Sequence, residues 1–85
     1  MLKRGCVVVA TAGRDRGQVL VVLEATPDGL WIADGRRRKI QKPKRKNPRH
    51  VQDTGRVVSE TAMATNRELR RALAGWNPAA QEPDR

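Results

Sequence analysis

Residues 6–25 read CVVVATAGRDRGQVLVVLEA, two Val-rich runs parted by a short segment that holds Gly13 and Gly17. β-branched side chains lose rotamer freedom in a helix and fit well on a pleated surface. Residues 6–10 and 18–25 therefore read as strands. Between them, the glycines stand where a tight connection needs positive φ, which the β-branched neighbours cannot supply cheaply. A β-hairpin is the economical arrangement. Its core must be aliphatic, because the 85-residue chain has no Phe, no Tyr and only Trp31 and Trp76. A chain of this length forms one domain with a small core and buries only about 60–65% of its unfolded surface.

Next comes TPDG, residues 26–29, with Pro, Asp and Gly in the order that suits a type I turn into another hairpin. A third strand follows over residues 30–33. A fourth is expected around Ile40, its one apolar anchor, and a shorter fifth around Val51; Pro43 and Pro48, which cannot donate to a ladder, divide them. Five short strands with closely spaced turns point to a small barrel, since closure hides the edges of so small a sheet. Residues 1–56 form this unit. Residues 57–76 form a C-terminal helical segment. Within it Thr65 and Glu68 have capping-box spacing, and Leu69, Leu73 and Trp76 recur on one helical face before or just past Gly75. So short a helix is marginal alone and is expected to dock that face on the barrel. Residues 77–85 hold two prolines and little to bury, and are expected to fray.

Charge is distributed very unevenly. Residues 1–35 carry four bases and four acids, and residues 51–85 carry five of each, so the net charge of +9 lies wholly in residues 36–50. That stretch, RRRKIQKPKRKNPRH, has nine cations and no acid: Arg36, Arg37, Arg38, Lys39, Lys42, Lys44, Arg45, Lys46 and Arg49. Crowded like charges repel, and a bound polyanion would relieve them. The Arg forks can take phosphate oxygens in pairs, the lysines act as point charges, and the prolines reduce the entropy lost on binding. These cations are the candidate phosphate contacts. Single-stranded RNA is usually read by stacking on aromatics, which are scarce here, so structured RNA is the favoured ligand, with duplex DNA left open. Arg70 and Arg71 on the helix fall outside this surface.

Other chemistry lacks raw material. One Cys and one His make neither a disulfide nor a zinc site. Cys6 reads as a small buried hydrophobe, and His50 as a residue flanking the last strand or facing RNA. Trp31 and Trp76 read as core. GRDRGQ matches no nucleotide-binding fingerprint. The N-terminal apolar run is too short for a signal peptide, and nothing approaches a membrane span. With no cofactor or metal implied, the expectation is a cytoplasmic protein that is not an enzyme.

Residues 5–25, with Val7, Val9, Val19 and Val21 alternating around Gly13, Asp15 and Gly17, resemble the KOW motif, a strand leading through a G-x-D-x-G turn into a second strand. Together with DGRRRKIQKPK and the helical TNRELRRAL, the chain is similar to the bacterial stand-alone KOW-domain RNA-binding proteins, relatives of an archaeal and eukaryotic large-subunit ribosomal protein family. The resemblance implies a mainly β fold, an SH3-like five-strand barrel with a short C-terminal α-helix. It also implies a ribosome-associated protein, monomeric when free, that binds ribosomal or other structured RNA and has ribosomal proteins as further partners. In such proteins the first turn approaches RNA, which here means the segment Arg14, Asp15 and Arg16, with Arg14 and Arg16 as its contacts and Gly13, Asp15 and Gly17 as the structural residues of the turn. KOW domains also bind proteins, so a protein-interaction module of the transcription or ribosome-assembly machinery is the alternative.

The turn itself gives a first test. Gly17→Val is expected to cost more than about 1 kcal/mol of folding free energy, because a β-branched residue is strained at positive φ. A thermal melt compared with the unaltered chain reads this directly.

Overall fold

β1 (Cys6–Ala10) and β2 (Val19–Thr26) form the hairpin that the Val-rich runs predict, with Val7, Val8 and Val9 opposite Val21, Leu20 and Val19. The computed structural model describes residues 2–76; residues 77–85, expected to fray, lie outside the described residues. β2 turns through Pro27 and Asp28 into β3 (Gly29–Ala33), and β4 (Lys44–Lys46) pairs with β3. A 3-10 turn (Pro48–His50) leads directly into β5 (Val51–Val57), which returns to pair with β1. The result is one antiparallel five-stranded sheet in the order β4-β3-β2-β1-β5, followed by helix α1 (Asn66–Ala74).

Both faces of β1 and of the first half of β2 are covered, which is why residues 6–10 and 19–23 are continuously apolar instead of alternating with polar residues. Cys6, Val8, Ala10, Leu20, Val22, Leu30 and Ile32 form one core cluster. Val7, Val19, Val21 and Ala33 lie on the other face and pack with Met63, Leu69 and Leu73. Helix α1 thus supplies the cover for the second face. Its start is set by Thr65, whose side chain accepts a hydrogen bond from the Glu68 N at 3.1 Å. Trp76 packs against the same cluster and lies 5.5 Å from the Arg56 guanidinium on β5. Gly75 ends the helix in right-handed conformation (φ −70°), so it stops the helix without a left-handed cap. At fully buried positions such as Leu20 and Leu69 each side chain contributes on the order of 2 kcal/mol.

β4 and β5 stand at opposite edges of the sheet, yet only residues 47–50 join them. Four strand spacings in a flat sheet come to about 19 Å. A connector of this length containing a 3-10 turn reaches roughly 13 Å. The sheet must therefore curl to bring its edges toward each other. Two irregularities assist: the register shifts between Val22 and Glu24 in β2, and β5 bulges opposite β1 around Gly55, at φ 81°.

Three expectations are corrected. The fourth strand lies at Lys44–Lys46 and not around Ile40, which sits in the preceding turn, half-buried against the helix-side cluster. Pro43 precedes the strand and so needs to donate nothing to it. The fifth strand is longer than the fourth, at 7 residues against 3, because pairing with β1 continues past the bulge. Trp31 is only half-buried and joins neither core cluster, since its place in β3 is opposite Arg45 at the sheet's edge.

Gly17 has φ +85° with open space where a Cβ would stand, so any strain in a replacement is purely conformational. Gly35 is more constrained. At φ +79°, a Cβ there would collide with the Asn66 carbonyl oxygen and stand 3.0 Å from the Arg70 N, both backbone atoms of α1. Gly35→Ala is expected to cost about 2 kcal/mol or more, a fall in Tm of roughly 8 °C or greater, and to exceed Gly17→Ala in a parallel melt.

Candidate functional site

The basic segment is a folded loop and edge strand, held by hydrogen bonds on both flanks. Asp34, buried at the end of β3, accepts from the Arg36 N at 2.8 Å and the Arg38 N at 2.9 Å through Oδ1. In return the Arg38 carbonyl accepts from the Asp34 and Gly35 N–H groups. Further along, the Ile40 N donates to Asn66 Oδ1 at 2.8 Å, and Asn66 Nδ2 donates to Gln41 Oε1 at 2.7 Å. The first residue of α1 therefore pins the middle of the loop. Ile40 adds an apolar contact to the helix-side cluster.

On its other flank the segment is tied to the β1–β2 turn. That turn is closed by Gly17 N to Ala10 O and Gln18 N to Asp15 O, both 2.8 Å. It directs Asp15 inward, 2% exposed, where Oδ2 lies 3.3 Å from Arg38 Nη2 and 3.4 Å from Lys44 Nζ. Lys46 is also buried, and its Nζ donates to the Ala12 carbonyl at 2.7 Å. Lys44 and Lys46 face Ile32 and Leu30 across the β3–β4 ladder, so their stems run along the first core cluster toward the turn.

The nine cations of the run therefore divide. Arg36, Arg37, Lys39, Lys42, Arg45 and Arg49 are exposed, as are Arg14 and Arg16 on the turn. Arg38, Lys44 and Lys46, expected as phosphate contacts, are instead committed to internal partners. The reason is geometric: with no acid inside the run and Asp34 accepting from backbone N–H groups, the carboxylate and carbonyl that meet these side chains come from the turn against which the run folds. Asp15, expected as a structural residue of the turn, points inward, away from its exposed neighbours Arg14 and Arg16. Arg45 shares a face with the half-buried Trp31. His50 is exposed just before β5, and its carbonyl accepts from the Thr11 N. Cys6 is buried in the first cluster, with its Sγ accepting from the Lys3 N at 3.4 Å.

Sequence reasoning missed the part played by α1. Arg70 is not remote from the run, because its backbone N lies against Gly35 and the loop crosses the first turns of the helix. Nothing local signals this contact. It joins residues about thirty positions apart through a glycine and an asparagine that have no distinctive spacing.

Burial pushes the Asp15 carboxyl up, but the Arg38 hydrogen bond and charge, with the Lys44 charge and hydrogen bond, outweigh it and hold the group below its ordinary value. The contact is a single N–H to a single oxygen with Arg38 Nε buried and unpartnered, weaker than a bidentate fork. Among the described residues there is no group of His, Cys, Asp and Glu side chains that could hold a metal, and no helix is long and apolar enough to cross a membrane.

Because the folded-state value is depressed, Asp15 stabilises the fold above the unfolded carboxyl pKa of about 3.9 and loses that contribution as pH falls through the lower folded value. Asp15→Asn is expected to cost about 1–2 kcal/mol at neutral pH. The difference from the unaltered chain should shrink on acidification below about pH 4, read by denaturant titration across pH.

No protein-family model matches the chain, and a search of curated proteins finds no match either.

Proposed function

We propose that this is a non-enzymatic RNA-binding protein of the KOW family, with an SH3-like barrel, that contacts structured RNA through its basic loop, edge strand and first turn. The observation that carries the proposal is the presentation of Arg36, Arg37, Lys39, Lys42, Arg45 and Arg49 on a segment locked by Asp34, Asp15 and Asn66. A cationic surface fixed before binding loses little conformational entropy when phosphates arrive. Arg14 and Arg16 extend it from the turn next door. The barrel is supported by the short connector between edge strands, which requires strong curl, and the KOW assignment by Gly13 and Gly17 at positive φ around the inward Asp15.

Structured RNA is preferred to single strands because one half-buried Trp31 gives little area on which to stack bases. Ribosomal RNA is the proposed target, in the cytoplasm, with the free protein a monomer and ribosomal proteins as neighbours. The rival proposal, a protein-interaction module of the transcription or ribosome-assembly machinery, draws on a hollow of about 350 Å³ lined by Leu2, Ala25, Thr26, Pro27, Leu30 and Pro48.

If about six phosphates are neutralised, log K for a stem-loop RNA should fall with log[salt] at a slope on the order of −4 to −5. Arg36→Glu with Arg37→Glu should weaken binding by well over tenfold and flatten that slope, with an unchanged melt. Arg38 is left in place, since reversing it would set a second carboxylate beside Asp15. Salt-independent binding, or full affinity in the folded double variant, would favour the protein-interaction alternative.

A further inference from the structure

The three elements that meet at the basic loop are arranged side by side. The β1–β2 turn is joined to the loop through Asp15, Arg38 and Lys44, and the loop is joined to α1 through Gly35, Ile40 and Asn66. Exposed cations stand on each: Arg14 and Arg16, then Arg36, Arg37, Lys39 and Lys42, then Arg67, Arg70 and Arg71. None of the helix arginines has an ion-pair partner among the described residues.

Helical periodicity sets Arg70 apart from Arg67 and Arg71. Leu69 and Leu73 point at the sheet. Asn66 reaches the loop from one flank, and Arg70, one turn later, lies on that same flank, with its backbone N against Gly35. Arg67 and Arg71, four residues apart, share the next face, about 60° and about 100° round from Arg70 and away from the loop.

We propose that α1 contributes Arg70 to the RNA-binding face, so that the ligand crosses the turn, the loop and the helix. This rests on the RNA-binding reading above. Cations on three neighbouring elements make a band with width as well as length. Such a band fits the paired backbones of an RNA helix, which offer phosphates on both sides of a groove, better than the single line of phosphates on an extended strand. The rigid junctions hold the band in shape: Gly35 permits the loop to touch the helix backbone, and Asn66 fixes the loop's direction there.

The test uses the full chain and a stem-loop RNA with at least one helical turn, comparing Arg36→Glu, Arg70→Glu, Arg70→Gln and Arg71→Glu, each checked by thermal melt. Arg70→Glu should weaken binding about tenfold, and Arg70→Gln should lower the magnitude of the salt slope by close to one contact's worth, roughly 0.7 to 0.9. Arg71→Glu should change affinity less than about threefold. The salt slope separates a phosphate contact from a packing role, and the Gln variant decides the matter if the Glu variant fails to fold. Loss of binding in Arg36→Glu with full binding and an unchanged slope in both Arg70 variants would overturn the helix contribution and leave the RNA-binding reading standing. Equal losses in Arg70→Glu and Arg71→Glu would overturn it too, as a general charge effect. No binding by the unaltered chain would remove both.

Discussion

The basic surface is joined to the first turn through one buried carboxylate, Asp15. Residues 36–50 concentrate the whole net charge of the chain without an acid among them. Such a segment has no internal reason to fold against a small domain. Asp15, reaching in from the first turn, gives Arg38 and Lys44 a common partner and so anchors the segment to the sheet. Ion pairs of this kind add little net stability, because desolvating the partners offsets most of their attraction. Their effect is to choose one geometry. With Asp34 and Asn66 holding the loop's backbone, these two side chains complete the frame that carries the exposed cations.

The hairpin that carries Asp15 must itself be rigid, and double-sided burial makes it so. A two-stranded ribbon is marginal in water, but β1 and β2 are sandwiched between the inner cluster around Leu20 and Ile32 and the outer cluster capped by Leu69 and Leu73. The C-terminal helix thus has two consequences from one placement. It completes the core on the outer face, and its first turn forms a wall against which the basic loop rests. Gly35 is where those consequences meet, since only a residue without a Cβ lets the loop lie directly on the helix backbone.

Cations in this molecule divide their roles by depth. Lys44 and Lys46 lay their stems over the inner cluster and end on the first turn, Lys46 on a backbone carbonyl. Arg36, Arg37, Lys39 and Lys42 stay in solvent on the turns between. A flexible basic tail would carry the same charge, but binding would then order every residue at a cost of about 1–2 kcal/mol each for the backbone alone. Here folding has already met most of that cost.

Local features of the chain determine much of this. Val-rich runs, paired glycines, the Pro-Asp-Gly turn and the Thr65–Glu68 cap place the first three strands and the helix within a residue or two, because each depends on conformational preferences of neighbouring residues. The concentration of positive charge is likewise visible without any coordinates. Tertiary structure alone decided that the fourth strand forms at Lys44–Lys46, that Ile40 serves the helix-side cluster, and that Arg38, Lys44 and Lys46 turn inward while their neighbours stay free. Charge and hydropathy assign a lysine to solvent by default. Only the approach of Asp15 and the Ala12 carbonyl, more than twenty residues away in sequence, supplies the partners that reverse that default.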